Sequence, residues 1–352
     1  MRSLFDTNRL GAITLQNRIV MAPMTRNRAE ENGNPNELMC EYYSQRAGMG
    51  LIITEGTAPE HVGKAYPGIP GIYTDAQSLG WRKITDSVHN LGGKIFLQLM
   101  HSGRISHKKI TGLHPISASA IKPAGEIFTG LRHDSYEAPR EMSLLEIEKT
   151  RIAFVDAAKR AVDAGFDGVE LHGANGYLLH QFLATNSNLR TDQYGGSSVN
   201  RSRYIIEIVD SLLQTIGSDR VGIRLSPNGK FNDIEENDIE ETYGYLLNEL
   251  SSRDLAYLHL AQQSGFEGIA FARSHFRGTL IANSGYGDKN KIETAKRIID
   301  YGQADLFSFG RLALANPDLP SRLAGEGELN SAYPESFYSG GGTGYTDYPS
   351  LT

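Results

Sequence analysis

Residues 143–172 read SLLEIEKTRIAFVDAAKRAVDAGFDGVELH and contain one complete helix–strand unit. Ser143 and Glu146 have the spacing of a capping box, and apolar residues recur on one helical face until Gly165 ends the helix. The run that follows, Gly168 to His172, is short, apolar and β-branched, which is typical of a strand buried on both faces of a parallel sheet. The unit predicts an α/β fold.

Seven further runs of the same kind recur along the chain. The eight predicted strands cover residues 18–23, 51–55, 94–99, 168–172, 221–225, 255–260, 278–283 and 304–309. Helix-length amphipathic segments lie between most of them, at about 36–48, 76–91, 143–164, 200–216, 238–252 and 289–301. Strict alternation with eight strands predicts one (β/α)₈ TIM barrel spanning residues 1–352. The alternative is an open doubly wound sheet, but no Gly-x-Gly-x-x-Gly follows the first strand and no linker divides the chain.

Two segments depart from the regular alternation. The third and fourth predicted strands are about 70 residues apart, and the surplus, about 103–142, is expected to form an excursion over the active-site face, although a passive surface insertion is the alternative. Residues 2–16 are expected to form a hairpin that closes the opposite, N-terminal end of the barrel.

Composition excludes several classes of protein. The chain has 352 residues, a formal charge of −6 and both signs of charge scattered along it, so neither nucleic-acid nor membrane binding is expected. The one cysteine, Cys40, rules out an internal disulfide, a Cys-rich zinc site and a Cys-ligated iron–sulfur cluster. His101 and His107 have a zinc-finger spacing but lack a cysteine pair, so no metal is expected. A cytoplasmic protein that is a monomer or a weak homo-oligomer is the expectation.

The ends of the last two strands indicate a phosphate site. Ser284, Gly285 and Gly310 allow backbone N–H groups to approach an anion, and Arg311 supplies a cation, although ordinary turns are the alternative. A phosphorylated cofactor such as a flavin mononucleotide or pyridoxal phosphate fits such a site, and no strand end offers the lysine that pyridoxal phosphate needs.

A flavin also accounts for other polar residues at strand ends. Gln98 can bind the pyrimidine edge, Thr25 can donate to a ring carbonyl, and Arg224 can stabilise the charge gained on reduction. Arg224 can alternatively form a salt bridge inside the barrel with Glu170. The same strand ends carry few acids, and Glu55 and Glu170 precede their strand ends, so they are interpreted as buried structural partners rather than the carboxylate pair of a glycosidase.

The segment after the fourth strand carries possible catalytic groups. His172 and Asn175 can point two donors at one carbonyl oxygen, which stabilises the enolate that forms when hydride adds to a conjugated C=C bond. Tyr177 can then protonate the other carbon. A structural role for the histidine is the alternative.

Long motifs across the chain resemble the old yellow enzyme family, most closely its bacterial N-ethylmaleimide and pentaerythritol tetranitrate reductase branch. They are MAPMTR (21–26), QLMHSGR (98–104), HGANGYLLHQFL (172–183), QYGGS (193–197), FGR (309–311) with NPDL (316–319), and GYTDYP (344–349). The resemblance implies a barrel that holds FMN non-covalently, is reduced by NAD(P)H, and passes hydride from flavin N5 by a ping-pong mechanism to alkenes activated by a carbonyl, maleimide or nitro group.

The resemblance also implies roles for individual residues. The residues expected to contact the flavin ring are Pro23, Met24, Thr25, Ala58, Gln98 and Arg224. The residues expected on the phosphate side are Asn283, Ser284, Gly285, Gly310 and Arg311. The expected substrate contacts are His172 and Asn175, Tyr177 as proton donor, Tyr66 and Tyr345 as aromatic walls, Met100, and Arg132 as a phosphate or nicotinamide contact.

Two features depart from the family pattern. Met100 stands where the bacterial relatives often have tryptophan, so pocket width is open. The donor pair is His/Asn rather than His/His. A carboxylate-based hydrolase and a flavin-binding redox sensor remain the competing functions.

Overall fold

The computed structural model describes residues 2–285 and 288–351. Within these ranges, eight parallel strands close into a barrel, in the order in which they follow one another along the chain. They are β1 (Ile19–Met21), β2 (Leu51–Ile53), β3 (Ile95–Leu99), β4 (Gly168–Gly173), β5 (Val221–Leu225), β6 (Tyr257–Ala261), β7 (Leu280–Asn283) and β8 (Leu306–Phe309). Each predicted strand is confirmed, and the pairing of β8 with β1 leaves no edge strand, which excludes the open sheet.

A helix follows each strand before the next one begins. The bounds are α1 (Glu37–Ser44), α2 (Asp75–Asn90), α3 (Leu144–Asp163), α4 (Ser198–Ile216), α5 (Ile239–Ser251), α6 (Gly268–His275), α7 (Lys291–Asp300) and α8 (Arg311–Ala315). The capping box of Ser143 and Glu146 at the start of α3 is confirmed. Helix α6 was not expected from the sequence. It is eight residues long and begins without a side-chain cap, so the usual start signal is missing.

The N-terminal segment closes the bottom of the barrel, as expected. Its hairpin pairs Asn8–Leu10 with Ile13–Leu15. Leu10 and Leu15 are fully buried in one apolar cluster with barrel residues such as Phe96 and Tyr257. The hairpin therefore shields the lower interior from water.

The interior changes from apolar to polar towards the other end of the barrel. Phe96 and Tyr257 lie in the apolar lower cluster, and two residues further along the same strands stand Gln98 and His259. Residues two apart on a strand share a face, so Gln98 and His259 also point inwards, about 6–7 Å nearer the carboxyl end. This polar layer is the floor of the candidate site.

The excursion after β3 folds over the carboxyl end. It contains a short helix, Lys108–Thr111, and a hairpin of Glu126–Phe128 with His133–Ser135. Ile127 and Tyr136 pack in one apolar cluster with Met100 and Tyr177. The excursion is therefore part of the active-site face, and a passive insertion is excluded.

No helix in the described part of the chain is long and apolar enough to cross a membrane.

Candidate active site

The end of β4 and the loop after it carry the three expected catalytic groups. Asn175 has a left-handed backbone, with φ of +55°, and its amide N–H donates to Ser226 Oγ at 2.9 Å. The carbonyl of Asn175 accepts from Asn232 Nδ2 at 2.8 Å. Tyr177 follows as the N-cap of the short helix Leu178–Leu183. Ser226 and Asn232, which hold the backbone of Asn175, both lie in the loop after β5. That neighbouring loop therefore fixes the position of Asn175.

A glycine and a histidine complete the turn. Gly176 has φ of +75°, and a Cβ atom there would lie 2.5 Å from the carbonyl oxygen of Phe231, so only glycine fits. Its N–H donates to Nδ1 of the buried His180 at 3.0 Å. Nε2 of His180 therefore carries the proton and lies 3.1 Å from Glu236. The backbone N–H and C=O groups of Asn175 and Gly176 are therefore all hydrogen-bonded to side chains, which fixes the turn.

His172 is buried and chemically unusual. Only 4% of the residue is exposed, and its Nδ1 is buried with no hydrogen-bond partner in the described ranges. Burial, followed by the nearby Arg224 guanidinium, holds the pKa of His172 well below its usual value. The imidazole is therefore neutral at pH 7 and can donate one N–H without carrying a charge.

An apolar wall stands beside these groups. The Tyr177 ring lies 5.2 Å from the His172 ring, measured between centroids, and the hydroxyls of Tyr177 and Tyr66 are 3.3 Å apart. Met100 is 2% exposed and lies in the same cluster as Tyr177, with Tyr66 packed against it. The structure thus brings together four of the expected substrate contacts, His172, Tyr177, Tyr66 and Met100.

Gln98 and Arg224 form the floor between β3 and β5. Nε2 of Gln98 donates to Glu170 Oε1 at 2.7 Å. Nε of Arg224 is buried without a partner among the described residues. Arg224 does lower the pKa of Glu170, but within the described ranges no ion pair joins the two at 4 Å or less. A buried, unsatisfied guanidinium nitrogen at the top of the barrel calls for an acceptor from a bound group.

Glu55 and Glu170 are structural partners, as expected. Glu55 accepts from the amide N–H of Arg26 at 3.2 Å and from the hydroxyl of Tyr43 at 3.3 Å. Glu170 is bound to Gln98 and His259. Both carboxylates are at most 1% exposed and are committed to protein partners, so they do not form the open pair of a glycosidase.

The expected contact of Ala58 with the ring is wrong. Its N–H donates to the carbonyl of Pro70, its own carbonyl accepts from Ile72, and the residue is fully buried, so no polar group is left for a ligand. Gly56, two residues earlier, was missed. No hydrogen bond engages its N–H within the described ranges, and a Cβ atom there would lie 2.5 Å from Met100 Sδ. Glycine at position 56 allows Met100 to pack closely, and its unbonded N–H makes it a candidate ring contact.

The loop after β1 lies between the floor and the phosphate end. Pro23, Met24 and Thr25 are half-buried. The Sδ of Met24 would lie 3.6 Å from a Cβ atom at Gly310, so this loop reaches the end of β8.

The phosphate end holds two cations close together. Lys291, at the start of α7, has a lowered pKa because of burial and because the Arg311 guanidinium is near. Nζ of Lys291 also lies 3.5 Å from Ser284 Oγ. Oδ1 of Asn283 accepts from the N–H of Gly285 at 3.0 Å, which shapes the turn. The Asp288 carboxylate partly offsets the repulsion between the two cations, and the pair is suited to hold a further anion such as a phosphate.

Lys291 was not predicted from the sequence, because it lies at the start of a helix and not at a strand end. It lies eight residues after Asn283, and the helix that carries it turns it back towards Ser284.

Two other predicted contacts are engaged with protein partners. Tyr345 does not line the pocket: it is fully buried, stacked on Tyr42 at 4.0 Å, with the Arg26 guanidinium 4.9 Å from its ring centre. Tyr345 therefore packs the C-terminal segment against Tyr42 and Arg26. Arg132 is exposed on the hairpin of the excursion, where its Nε lies 3.1 Å from Asp134. Its role as a ligand contact stays a prediction.

Within residues 2–285 and 288–351, no group of three or more His, Cys, Asp or Glu side chains is arranged to hold a metal ion.

Comparison with known proteins gives the family of the chain. The sequence profile of the NADH:flavin oxidoreductase / NADH oxidase family matches residues 3–330. The chain therefore belongs to this family, that of the old yellow enzymes.

Family members resemble the chain over its whole length. A probable flavin mononucleotide-dependent alkene reductase of Leishmania infantum is 40% identical, covering 97% of this chain and 95% of that protein. The rice 12-oxophytodienoate reductase 1 is 40% identical, covering 99% and 93%. Among solved structures, the old yellow enzyme homologue of Zymomonas mobilis superposes with a TM-score of 0.96 at 39% identity, covering 99% of this chain and all of the other. Morphinone reductase in complex with tetrahydroNAD gives 0.95 at 41% identity, covering 100% and 98%.

As an old yellow enzyme, the protein is an FMN-dependent oxidoreductase of the alkene reductase type. The residues present fit that cofactor. The unpartnered Arg224 nitrogen and the Gln98 amide suit the pyrimidine edge of the ring, and the pair Lys291 and Arg311 suits the phosphate.

Proposed function

We propose that this protein is an NAD(P)H-dependent ene-reductase. It reduces the C=C bond of α,β-unsaturated carbonyl compounds, maleimides or nitroalkenes in two alternating half-reactions, with the whole chain acting as one FMN-binding barrel. The observation that carries the proposal is the neutral, buried His172 at the end of β4, whose Nδ1 has no partner within the described residues, beside the loop that carries Asn175 and Tyr177. Relatives named alkene reductase and 12-oxophytodienoate reductase support the reaction class.

FMN, when bound, supplies the chemistry of accepting a hydride from the nicotinamide and giving it to the β-carbon of the alkene. This chain would hold it with Pro23, Met24, Thr25, Gly56, Gln98 and Arg224 at the ring and with Asn283, Ser284, Gly285, Lys291, Gly310 and Arg311 at the phosphate.

His172 and Asn175 would bind the substrate oxygen. As hydride reaches the β-carbon, negative charge develops on that oxygen, and two fixed donors stabilise it more strongly than they stabilise the uncharged ground state. A neutral imidazole suits this task, since its N–H donates without attracting other anions. The left-handed backbone of Asn175 fixes the start of its side chain relative to β4.

Tyr177 would complete the reaction by donating its hydroxyl proton to the α-carbon, and solvent would return a proton to it afterwards. The Tyr66 hydroxyl, 3.3 Å away, orients this group. NAD(P)H and the alkene would use the same pocket in turn. A relative solved in complex with tetrahydroNAD supports nicotinamide binding in this fold.

The test is a pair of anaerobic half-reactions. Purified protein loaded with FMN should be yellow, lose its colour with NADPH or NADH, and regain it with 2-cyclohexenone. Protein that binds no FMN would contradict the family function itself. Protein that is reduced by the nicotinamide but is not reoxidised by any activated alkene would instead support a redox sensor.

Replacing Tyr177 by phenylalanine separates its role from cofactor reduction. We expect Tyr177→Phe to slow reoxidation by 2-cyclohexenone about 10²-fold or more, because a positioned general acid is lost, and to leave reduction by NADPH unchanged. Stopped-flow absorbance of the flavin measures both steps. Tyr194→Phe is the matched control, because Tyr194 is also 7% exposed but its hydroxyl binds Glu207 on α4. Slowing of the reductive step alone would rule out the proton-donor role.

A further inference from the structure

A chain of buried hydrogen bonds crosses the barrel below the candidate site. It starts at Gln98 on β3, whose Nε2 donates to Glu170 Oε1 on β4 at 2.7 Å. The other carboxylate oxygen, Oε2, lies 2.8 Å from His259 Nδ1 on β6. Nε2 of the same imidazole lies 2.8 Å from Ser308 Oγ on β8. Asn283 Nδ2 on β7 then donates to Ser308 Oγ at 2.9 Å. These hydrogen bonds therefore connect Gln98, in the floor of the candidate site, to Asn283, at the phosphate end.

The direction of each hydrogen bond follows from the carboxylate. Glu170 is fully buried, and His259, Arg224 and Gln98 together hold its pKa below the usual value against the opposing effect of burial. An ionised carboxylate only accepts, so Gln98 must present its N–H and His259 must present Nδ1–H. Burial lowers the pKa of His259, so the neutral imidazole accepts from Ser308 through Nε2. The negative charge of Glu170 thus sets the direction of every hydrogen bond between Gln98 and Asn283.

This order decides which atoms reach the pocket. Because Nε2 of Gln98 is held by Glu170, its Oε1 and its second N–H are left for a ligand, and no protein group in the described ranges donates to that oxygen. The position of the Arg224 guanidinium also depends on Glu170, because the buried carboxylate attracts it. The Nε of Arg224 nevertheless has no hydrogen-bond partner within those ranges. Two groups that face the flavin ring therefore depend on Glu170, which itself lies two residues deeper in β4 than His172.

We propose that Glu170 is a positioning residue for the flavin: through Gln98 and Arg224 it fixes the donors at the pyrimidine edge, and through His259 and Ser308 it couples them to Asn283. The proposal rests on the FMN-dependent function above. A buried negative charge below a ring that gains charge on reduction also opposes that reduction, so Glu170 keeps the reduction potential of the bound flavin low.

The experiment compares Glu170→Gln with the unmodified holoprotein at pH 6. Glutamine keeps the shape and removes the charge and one obligatory acceptor. We expect the dissociation constant for FMN, measured by quenching of flavin fluorescence during titration of apoprotein, to rise about tenfold. We also expect the potential, measured by equilibration with a reference dye, to become less negative, and the visible flavin spectrum to shift.

Glu55→Gln is the matched control. Glu55, two residues after β2, is also a buried carboxylate, but its partners are Arg26 and Tyr43 rather than Gln98. Its pKa is raised to about 7 by burial, so at pH 6 it is mostly protonated and the substitution changes little charge. Affinity and potential should stay at the unmodified values.

Equal FMN affinity and potential in Glu170→Gln and Glu55→Gln would overturn the proposal while leaving the FMN-dependent function intact. If unmodified protein bound no FMN, the function itself would fail instead. If Glu170→Gln does not fold, Ser308→Ala breaks the same chain at its far end. It removes the hydroxyl shared by His259 and Asn283, and it should weaken FMN binding in the same direction. An unchanged affinity in Ser308→Ala would then overturn the coupling.

Discussion

At the scale of single residues, burial gives otherwise common side chains unusual chemistry. His172 is kept neutral by desolvation and by the nearby Arg224. Glu170 stays ionised in a fully buried position because hydrogen bonds from His259 and Gln98 and the nearby Arg224 cation offset the cost. Glu55 is bound by the amide N–H of Arg26 and the hydroxyl of Tyr43, and burial raises its pKa to about 7. Two carboxylates that are both buried therefore have pKa shifts of opposite sign, because their partners differ.

The raised pKa of Glu55 predicts a pH dependence of stability. Its folded-state pKa of about 7 exceeds the ordinary glutamate value of 4.5, so the folded protein holds a proton that the unfolded chain releases. The free energy of unfolding should therefore fall as pH rises from about 4.5 to 7, by roughly 3 kcal/mol from this group. Urea denaturation at pH 5 and at pH 8 measures it.

The comparison with Glu55→Gln isolates that contribution. Glutamine cannot ionise, so the variant should gain stability relative to the unmodified protein between pH 5 and pH 8. A difference between the two proteins that is the same at both pH values would show that Glu55 does not titrate in the folded state.

At the scale of elements, the loop after β4 depends on backbone conformations that few residues adopt. Asn175 and Gly176 are consecutive left-handed residues, with φ of +55° and +75°. They reverse the chain so that His172 and Tyr177 face the same space. Asn232, itself left-handed with φ of +58°, holds them from the loop after β5. Asparagine tolerates this conformation better than most residues, and glycine adopts it freely.

Gly176→Ala should distort this loop. The new Cβ would lie 2.5 Å from the Phe231 carbonyl oxygen, in addition to the strain of a left-handed alanine. We expect a loss of about 1–3 kcal/mol in the free energy of unfolding beyond that strain, and slower reoxidation by 2-cyclohexenone. Gly196→Ala is the control, since Gly196 has φ of +80° but nothing lies within 4 Å of its Cβ position. Similar stability and turnover in the two variants would contradict a steric requirement at Gly176.

At the scale of the whole molecule, the two ends of the barrel have different tasks. The lower end is sealed by the hairpin, with Leu10 and Leu15 packed on the apolar interior. The upper end is polar and is covered at its side by the excursion, where Arg104 donates to the carbonyl of Asp233 in the loop after β5 at 2.6 Å. Stability is concentrated at one end and chemistry at the other, as is general for this fold.

Leu15→Ala tests the seal. Removing a fully buried side chain from the barrel floor should cost about 2–5 kcal/mol in the free energy of unfolding, while FMN binding at the other end is retained by the folded protein. Thr14→Ala, at an exposed position on the same hairpin, should cost under about 1 kcal/mol. A Leu15→Ala protein as stable as Thr14→Ala would show that the hairpin does not seal the interior.

The sequence by itself determined the barrel and the chemistry of the loop after β4. Strand burial on both faces and helix amphipathicity are local patterns, so all eight strands could be predicted, and His172, Asn175 and Tyr177 lie within six residues of one another. The hairpin at residues 2–16 could be predicted because an open barrel would expose its core.

Only the tertiary structure decided which residues from different strands meet. Glu170, His259 and Ser308 form one chain although they come from three strands far apart in sequence. Lys291 joins Arg311 only because α7 folds back on the barrel, and Tyr345 is buried against Tyr42 rather than lining the pocket. Local patterns report the face of each element that is buried. The identity of the partner on that face is fixed by strand register and loop packing, which no local pattern encodes.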